Sequence, residues 1–200
     1  MEETALLTDD EIVAICAADG RPWPIGLATV EPTVEELARA GMRGMRSLMV
    51  RRLAGSDADK PGVRPHAMIA RDVAAFLDAT DRVGAYIAPA SDHSVLGGAA
   101  VTAARTPRGW VVDTATAAGV HALRVASSDE ATNAVLELAE KAYSGELFAN
   151  ETEASNWVCV VRYGSEGQNV LTIRPSSVNG VVDSSAVNTW DPERIRAALR

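Results

Sequence analysis

The residues best suited to acid–base or metal chemistry in this chain are its three histidines, His66, His93 and His121. A neutral imidazole can bind zinc or take up a proton near neutral pH. No two of them are spaced as in a recognised metal motif, so the sequence predicts neither a metal site nor a cofactor. Asp92, His93 and Ser94 are adjacent, whereas the members of a working Ser-His-Asp triad come from separate parts of a chain. This run therefore predicts a turn.

An enzymatic hypothesis remains open as an alternative. Its site would assemble from Asp92, His93, His121 and Asp113, which lie near predicted turns and strand ends. The two histidines would have to share one cleft, because general acid–base catalysis needs hydrogen-bond contact. The reaction would be that of a small hydrolase or transferase. Because the chain contains no nucleophile elbow, phosphate-binding loop or HExxH motif, we favour a binding or chaperone protein over an enzyme and assign no catalytic residue.

Composition narrows the class of protein. The chain has 200 residues, a net charge of −8 and a pI near 4.9. An acidic chain repels polyphosphate, so neither nucleic acid nor an anionic membrane is an expected partner. No run of about 18 apolar residues is found, and the acidic N-terminus is unlike a signal peptide, which predicts a cytoplasmic location. The two cysteines, Cys16 and Cys159, have no CxxC partner and are expected to be buried thiols.

One stripe of basic residues could favour nucleic-acid binding despite the negative net charge. Arg39, Arg43 and Arg46 share one face of a predicted helix, and Arg51 and Arg52 follow at its end. The acidic residues one turn earlier can pair with these arginines, and arginine at a helix C-terminus suits the helix dipole. We therefore interpret the stripe as a solvated or interface face.

The elements that must position these residues follow from caps and periodicity. Three capping boxes mark helix starts, with the pairs Thr8 and Glu11, Thr33 and Glu36, and Ser127 and Glu130. The helix after Thr33 is predicted to bury an apolar stripe of Val34, Leu37, Ala38, Met42, Met45, Leu48, Met49 and Leu53. Helical patterns cover residues 34–54, 68–79, 128–143 and 191–200. Strand patterns cover residues 85–88, 98–105, 110–114, 120–126, 157–163, 170–174 and 178–183. Residues 25–30 are predicted to be a strand or an extended segment, and residues 55–65 a loop.

The order of these elements predicts an α+β fold. Shifting the chain by 61 residues superimposes Gly180 and Val181 on Gly119 and Val120 and keeps three strands and a helix in step. We therefore predict an antiparallel sheet built from two similar strand-strand-strand-helix units related by a pseudo-twofold, with flanking helices. The single domain of residues 1–200 would comprise an N-terminal helical part (1–80), a first half-sheet unit (84–145) and a second (156–200).

Several segments resemble a known family. Residues 7–12 (LTDDEI), 23–27 (WPIGL) and 44–53 (GMRSLMVRRL) are similar to the opening of EspG-type proteins, and residues 109–113 (GWVVD) and 119–124 (GVHALR) to their strand-strand-helix unit. Those proteins are cytosolic chaperones of actinobacterial type VII (ESX) secretion. The resemblance implies a pseudo-twofold α+β fold and a partner of the PE/PPE type.

The resemblance also implies where a partner would dock, since the family uses a hairpin loop and C-terminal helices. The matching pieces here are two predicted turns and the last helix. Their residues are Thr106, Pro107 and Arg108 in the first turn, Ser165 and Glu166 in the second, and Ile195 and Leu199 on the helix. Ile195, Ala198 and Leu199 have helical spacing, so that face should pack against the sheet or a partner.

Our leading hypothesis is therefore a cytosolic, non-enzymatic, protein-binding chaperone, with a homodimer left open. The alternatives are the small enzyme above and an acidic immunity or regulatory protein that covers a basic partner.

Overall fold

A large antiparallel sheet with helices on both faces forms the body of the protein. The computed structural model describes residues 6–57, 60–163, 169–174, 181–182 and 192–198. The helices are α1 (Asp9–Asp19), α2 (Val34–Val50), α3 (Ala67–Asp78), α4 (Ser128–Ser144), α5 (Glu151–Ala154) and α6 (Pro192–Ala198). The strands are β1 (Leu6–Thr8), β2 (Ala54–Asp57), β3 (Lys60–Pro65), β4 (Arg82–Pro89), β5 (Ala100–Thr106), β6 (Gly109–Ala115), β7 (Val120–Ala126), β8 (Trp157–Tyr163), β9 (Asn169–Ile173) and β10 (Val181–Val182). This confirms the predicted α+β class.

The strand order of the sheet is β1-β7-β6-β5-β4-β8-β9-β10. Strand β4 separates two arms, β5-β6-β7 on one side and β8-β9-β10 on the other, and every neighbouring pair is antiparallel. The 61-residue shift places β9, β10 and α6 over β6, β7 and α4, while β8 starts four residues earlier in its unit than β5. Helix α6 contacts α4, where Arg196 approaches Asn133. The arms thus share strand order and direction, and their helices lie side by side.

The two faces of the sheet bury different helices. Val83, Val101, Val112 and Val161 face α4 and form one core cluster with it. On the opposite face, α1 and α3 pack over the end of the sheet that holds β1, β7, β6 and β5, around Phe76. This alternation follows from the two-residue period of a strand. Among the described helices, none combines the length and the apolar character needed to cross a bilayer.

Two of the predicted elements differ in the structure. Residues 25–30, predicted as a strand or an extended segment, form no strand, and the backbone N–H of Thr29 donates to the Asp9 carboxylate at 2.6 Å instead of to a strand neighbour. Residues 55–65 are largely a β-hairpin, not a loop: β2 and β3 pair with each other, although their turn residues had suggested irregular structure. The three-residue strand β1 at the sheet edge was not predicted.

Helix α2 also differs from its prediction in length and orientation. It ends at Val50, not residue 54, and the left-handed backbone of Arg52 (φ 58°) follows. Thr33 caps Glu36 N, but the reciprocal half of this capping box is missing, because the Glu36 carboxylate accepts from Arg43. The other two capping boxes are confirmed.

The apolar stripe predicted to be buried on α2 is largely exposed. The buried positions are Ala40, Gly44 and Leu48, which are spaced one helical turn apart and face α1. A Cβ at Gly44 would lie 1.9 Å from Asp10 O, so the two helix backbones touch. Leu48 is thus buried as predicted, and the small residues Ala40 and Gly44 allow α2 to approach α1 closely.

The arginine stripe contributes to this same interface. Arg43 binds the Asp10 carboxylate through two hydrogen bonds of 2.8 Å. Arg51 donates to Glu11 at 2.6 Å and to Leu6 O at 2.7 Å. Glu11 is fully buried and also accepts from Ser47. Arg43 and Arg51 thus fasten α2 to α1 and β1, in agreement with the interface interpretation.

The close contact at Gly44 can be tested by a matched pair of substitutions. We expect Gly44→Ala to lower the free energy of unfolding by about 2 kcal/mol, because the added methyl group must push α1 and α2 apart. Gly41→Ala on the same helix has no contact nearer than 3.8 Å and should raise stability by up to about 1 kcal/mol through helix propensity. Urea unfolding measures both. Equal effects of the two substitutions would contradict the backbone contact.

Candidate functional site

The most unusual polar cluster in the described structure is a buried Asp-His-Asp arrangement. His121 Nε2 lies 2.7 Å from Asp9 Oδ1, and His121 Nδ1 lies 2.9 Å from Asp113 Oδ2. All three side chains are 1% exposed. Both ring nitrogens of His121 therefore have a carboxylate partner.

Each member of this cluster is placed by a different element. Asp113 on β6 and His121 on β7 share one face of the β6–β7 hairpin, where they are diagonal neighbours in the register that pairs Asp113 with Leu123. Asp9 is the first residue of α1, directly after β1 pairs with β7. Its backbone N–H donates to Gly119 O at 2.9 Å. The chain is thus turned from β1 into α1 just above the imidazole.

The surroundings leave room for the Asp9 carboxylate and exclude water. Gly119 has φ +68°, and a Cβ there would lie 2.5 Å from Asp9 Oδ2. The same oxygen accepts from Thr29 N at 2.6 Å and Thr29 Oγ1 at 2.7 Å. The edge of His121 meets the ring of Trp23, with centroids 5.9 Å apart, and Trp23 stacks on Phe76 at 4.5 Å. An aromatic lid therefore covers the imidazole.

The cluster carries a charged imidazole at neutral pH. Burial by itself would lower the pKa of His121, but the hydrogen bonds and charges of Asp113 and Asp9 outweigh it and raise the pKa from 6.5 to about 9. For Asp9, burial opposes ionisation, yet hydrogen bonds from His121 and Thr29 lower its pKa. The group is an imidazolium held by carboxylates.

This geometry stabilises structure and has no free group for acid–base catalysis. A general base needs an accessible nitrogen within hydrogen-bond reach of its substrate, and His121 has both nitrogens engaged and buried. Across the described residues, no group of three or more His, Cys, Asp or Glu side chains is arranged to hold a metal ion. Both thiols are free and buried as predicted, and burial raises the pKa of Cys16 and of Cys159 to about 12.

The enzymatic hypothesis had joined His121 and Asp113 to Asp92 and His93. The structure brings the first two together, adds Asp9, and leaves the other two in a separate turn. There Asp92 accepts from Ser94 N at 2.9 Å and from Ser94 Oγ at 2.6 Å. These two bonds form the turn that the sequence predicted. Asp92 is not a partner of His121, whose ring nitrogens are bound to Asp9 and Asp113.

The first of the two turns implied as docking pieces lies within the described residues. Thr106 and Gly109 close the β5–β6 hairpin, Thr106 Oγ1 donates to Gly109 O at 3.0 Å, and Pro107 and Arg108 are exposed at its tip. Ser165, Glu166 and Leu199 lie outside the described residues. Ile195 lies on α6, but its side chain is outside them. These partner-binding assignments stay predictions.

The second candidate site is an apolar groove of about 830 Å³. It lies between α1, the segment 20–32, the start of α2 and the turn that contains Val95. Its principal apolar walls are Val13, Trp23, Leu27, Leu37, Val95 and Leu96. The sequence did not predict this groove, because nothing in the local pattern of residues 25–30, predicted as a strand or an extended segment, indicates what they pack against. In the structure they run as an irregular segment that forms one wall.

The groove continues into an exposed row of apolar side chains on α2, here called the α2 stripe: Val34, Leu37, Ala38, Met42 and Met49. Leu37 and Ala38 also line the groove. Val34 is 88% exposed, Met42 59% and Met49 48%. The stripe is the face that the sequence had assigned to the core. Its exposure is a consequence of α2 using Ala40 and Gly44 to pack on α1.

Comparison of the chain with protein-family models and with curated protein sequences gives no match. The fold and the two candidate sites define an α+β protein with a buried ionic cluster and an exposed apolar groove.

Removal of the imidazole tests the structural role of the cluster. We expect His121→Gln to lower the free energy of unfolding by about 3–5 kcal/mol, because Asp9 and Asp113 would be left buried without a counter-charge. Adding Asp113→Asn to that variant should recover part of the loss. His66→Gln is the control, since His66 is exposed, and should have no effect in urea unfolding. A loss in His66→Gln equal to that in His121→Gln would contradict the assignment.

The pKa shifts of His121 and Asp9 predict how the stability of the protein changes with pH. The pKa of His121 is raised from 6.5 to about 9 on folding. Its contribution to the free energy of unfolding is therefore complete below pH 6.5 and is lost as the pH rises through 9. Asp9 has the opposite dependence, because its pKa is lowered on folding. Its contribution to stability is present above pH 3.8 and is lost in acid. Melting temperature should therefore fall between pH 7 and pH 9.5. This alkaline fall should be smaller in His121→Gln, and an identical fall in both proteins would refute it.

Proposed function

We propose that this protein is a non-enzymatic protein-binding protein that acts as a chaperone, similar to the EspG type, for a PE/PPE-type secretion substrate in the cytoplasm. The single observation that carries the binding role is the apolar groove with the α2 stripe. Contiguous exposed apolar surface is unusual on a monomer and marks a surface that another molecule covers. The resemblance in residues 7–12, 23–27 and 44–53 supplies the substrate class.

The shape and chemistry of this surface fit an amphipathic polypeptide segment. The groove gives a concave apolar end, where the large ring of Trp23 and the side chain of Leu37 meet. The α2 stripe extends it along one helix with two methionines, whose unbranched side chains adapt to different partners. Arg46 lies beside the methionines on the same helix and is exposed, so an acidic residue of the bound segment would complement it.

The alternatives receive less support from the same residues. The enzymatic hypothesis required a shared histidine cleft, and the nitrogens of His121 are bound to Asp9 and Asp113. An acidic immunity or regulatory protein would bind a basic partner through charge. That association would weaken strongly with rising salt, whereas binding through the apolar groove would not.

Co-expression with a PE/PPE pair encoded near this chain, followed by size-exclusion chromatography, tests the proposal. A co-eluting complex that persists at high salt is expected. Elution of the protein unaccompanied with every neighbouring pair would count against the chaperone assignment, and a self-associated species of twice the mass would assign the groove to a homodimer instead.

The binding surface itself is tested by a charge placed on the α2 stripe. We expect Met42→Glu to weaken the complex at least about tenfold, because burying an unpaired carboxylate in an apolar interface costs more than 1.4 kcal/mol. Met68→Glu is the control, because Met68 is 69% exposed on α3 and lies outside the surface. Both variants should melt near the unchanged protein. Equal weakening by the two, or by neither, would contradict the assignment of the surface.

A further inference from the structure

A polar cleft of about 490 Å³ adjoins the apolar groove on the sheet face opposite α4. Residues Arg82, Gly84 and Tyr86 alternate along β4 with the residues that pack under α4, so they point to the other side. Thr102 of β5 and Arg162 of β8 complete the lining on either side of β4. The cleft therefore has a polar rim with two arginines.

The two arginines are placed over one small residue. Gly84 pairs directly with Arg162 in the β4–β8 register, and Arg82 lies two residues along β4 on the same face. Such diagonal neighbours are about 7–8 Å apart. Gly84 has no side chain, and a Cβ there would lie 2.9 Å from Val101 O and 3.1 Å from Thr102 Oγ1, so backbone and the Thr102 hydroxyl form the floor beside the two arginines.

Arg82 is a cation without an anionic partner among the described residues. Its Nη2 donates to Phe76 O at 2.8 Å and to Leu77 O at 3.3 Å, at the end of α3. Its Nε is buried with no hydrogen-bond partner there. The guanidinium also lies over the Phe76 ring, 5.4 Å from its centroid, and burial lowers its pKa, because its partners are carbonyls and a ring rather than an anion.

Arg162 likewise has no carboxylate partner among the described residues, and Tyr86 holds it in place. Its guanidinium lies over the ring of Tyr86, 6.0 Å from the centroid, and its Nε approaches Tyr86 Oη at 3.4 Å. The Tyr86 hydroxyl donates in turn to His93 O at 2.8 Å. The planar fork of Arg162 is therefore oriented by stacking while its outer edge remains available.

We infer that this cleft is a binding site for a carboxylate group, held between the guanidinium groups of Arg82 and Arg162. Planar guanidinium and carboxylate groups match in geometry and form paired, charge-assisted hydrogen bonds. The inference deepens the proposed function, because Ile25, Gly26, Ser94 and Leu96 line both the cleft and the apolar groove. A chain lying in the groove can thus place an acidic side chain, or a C-terminal carboxylate, in the cleft, and a free small dicarboxylate has the same chemistry.

The isolated full chain is titrated with succinate at constant ionic strength while the arginine Nε–H resonances are followed by NMR. Saturable shifts of the Arg82 and Arg162 resonances at millimolar succinate are expected, with about fivefold or greater weakening in Arg162→Gln and partial recovery in Arg162→Lys, both followed at the Arg82 resonance. Arg64→Gln is the matched control, since Arg64 is exposed on β3, and should bind as the unchanged protein does. Because Arg82 also caps α3, Arg162 is the decisive position.

The outcomes separate this site from the proposed function. Absence of a saturable shift, or equal weakening in Arg64→Gln, overturns the carboxylate site even when the PE/PPE complex forms. Tighter binding of inorganic phosphate than of succinate at the same resonances also overturns it, in favour of a phosphate site. Succinate binding without any protein complex supports the site as one for a small dicarboxylate and counts against the chaperone. Weaker complex formation by Arg162→Gln than by Arg64→Gln supports an acidic residue of the partner as the ligand.

Discussion

The position of the imidazolium of His121 between the carboxylates of Asp9 and Asp113 is the constraint on which the arrangement of this protein depends. Two buried carboxylates on either side of one ring would repel each other in a medium of low dielectric, and the protonated imidazole between them forms a charge-assisted hydrogen bond with each. Because Asp9 begins α1, the same contact fixes where the first helix starts relative to the sheet. The Thr29 hydrogen bonds to Asp9 then fix the segment that follows α1.

Helix α1 in turn determines which face of α2 is buried and which is exposed. Its first turn holds Asp10 and Glu11, which bind Arg43 and Arg51 of α2, and its backbone touches α2 at Gly44. These contacts use the face of α2 that holds Ala40, Gly44 and Leu48, so Val34, Met42 and Met49 stay exposed, whereas Met45 packs against the core around Phe76. The exposure of the α2 stripe is thus a consequence of the contacts between α1 and α2.

Much of the fold follows from local signals in the sequence. The strands from β4 to β9, the capping boxes at Thr8 and Ser127, and the hairpin at Thr106 depend on period and turn chemistry, which act over a few residues. The β6–β7 hairpin also makes Asp113 and His121 neighbours, so half of the ionic cluster was predictable. Asp9 was not, because its place depends on the pairing of β1 with β7 across more than 100 residues of chain. The face of α2 was mispredicted for a similar reason, since periodicity counts large apolar residues and gives no weight to the contact at Gly44.

The apolar groove and the arginine cleft are best understood as one surface with two kinds of chemistry. Both are bordered by residues 25–26 and by Ser94 and Leu96, so the two sites adjoin on the surface of the protein. The protein carries a net charge of −8, which repels acidic chains at long range, and the two arginines reverse that sign only within the cleft. Apolar area supplies affinity that is not directional, whereas a guanidinium fork accepts an anion in one orientation. A bound segment would therefore be held by its apolar side chains and set in register by its acidic group.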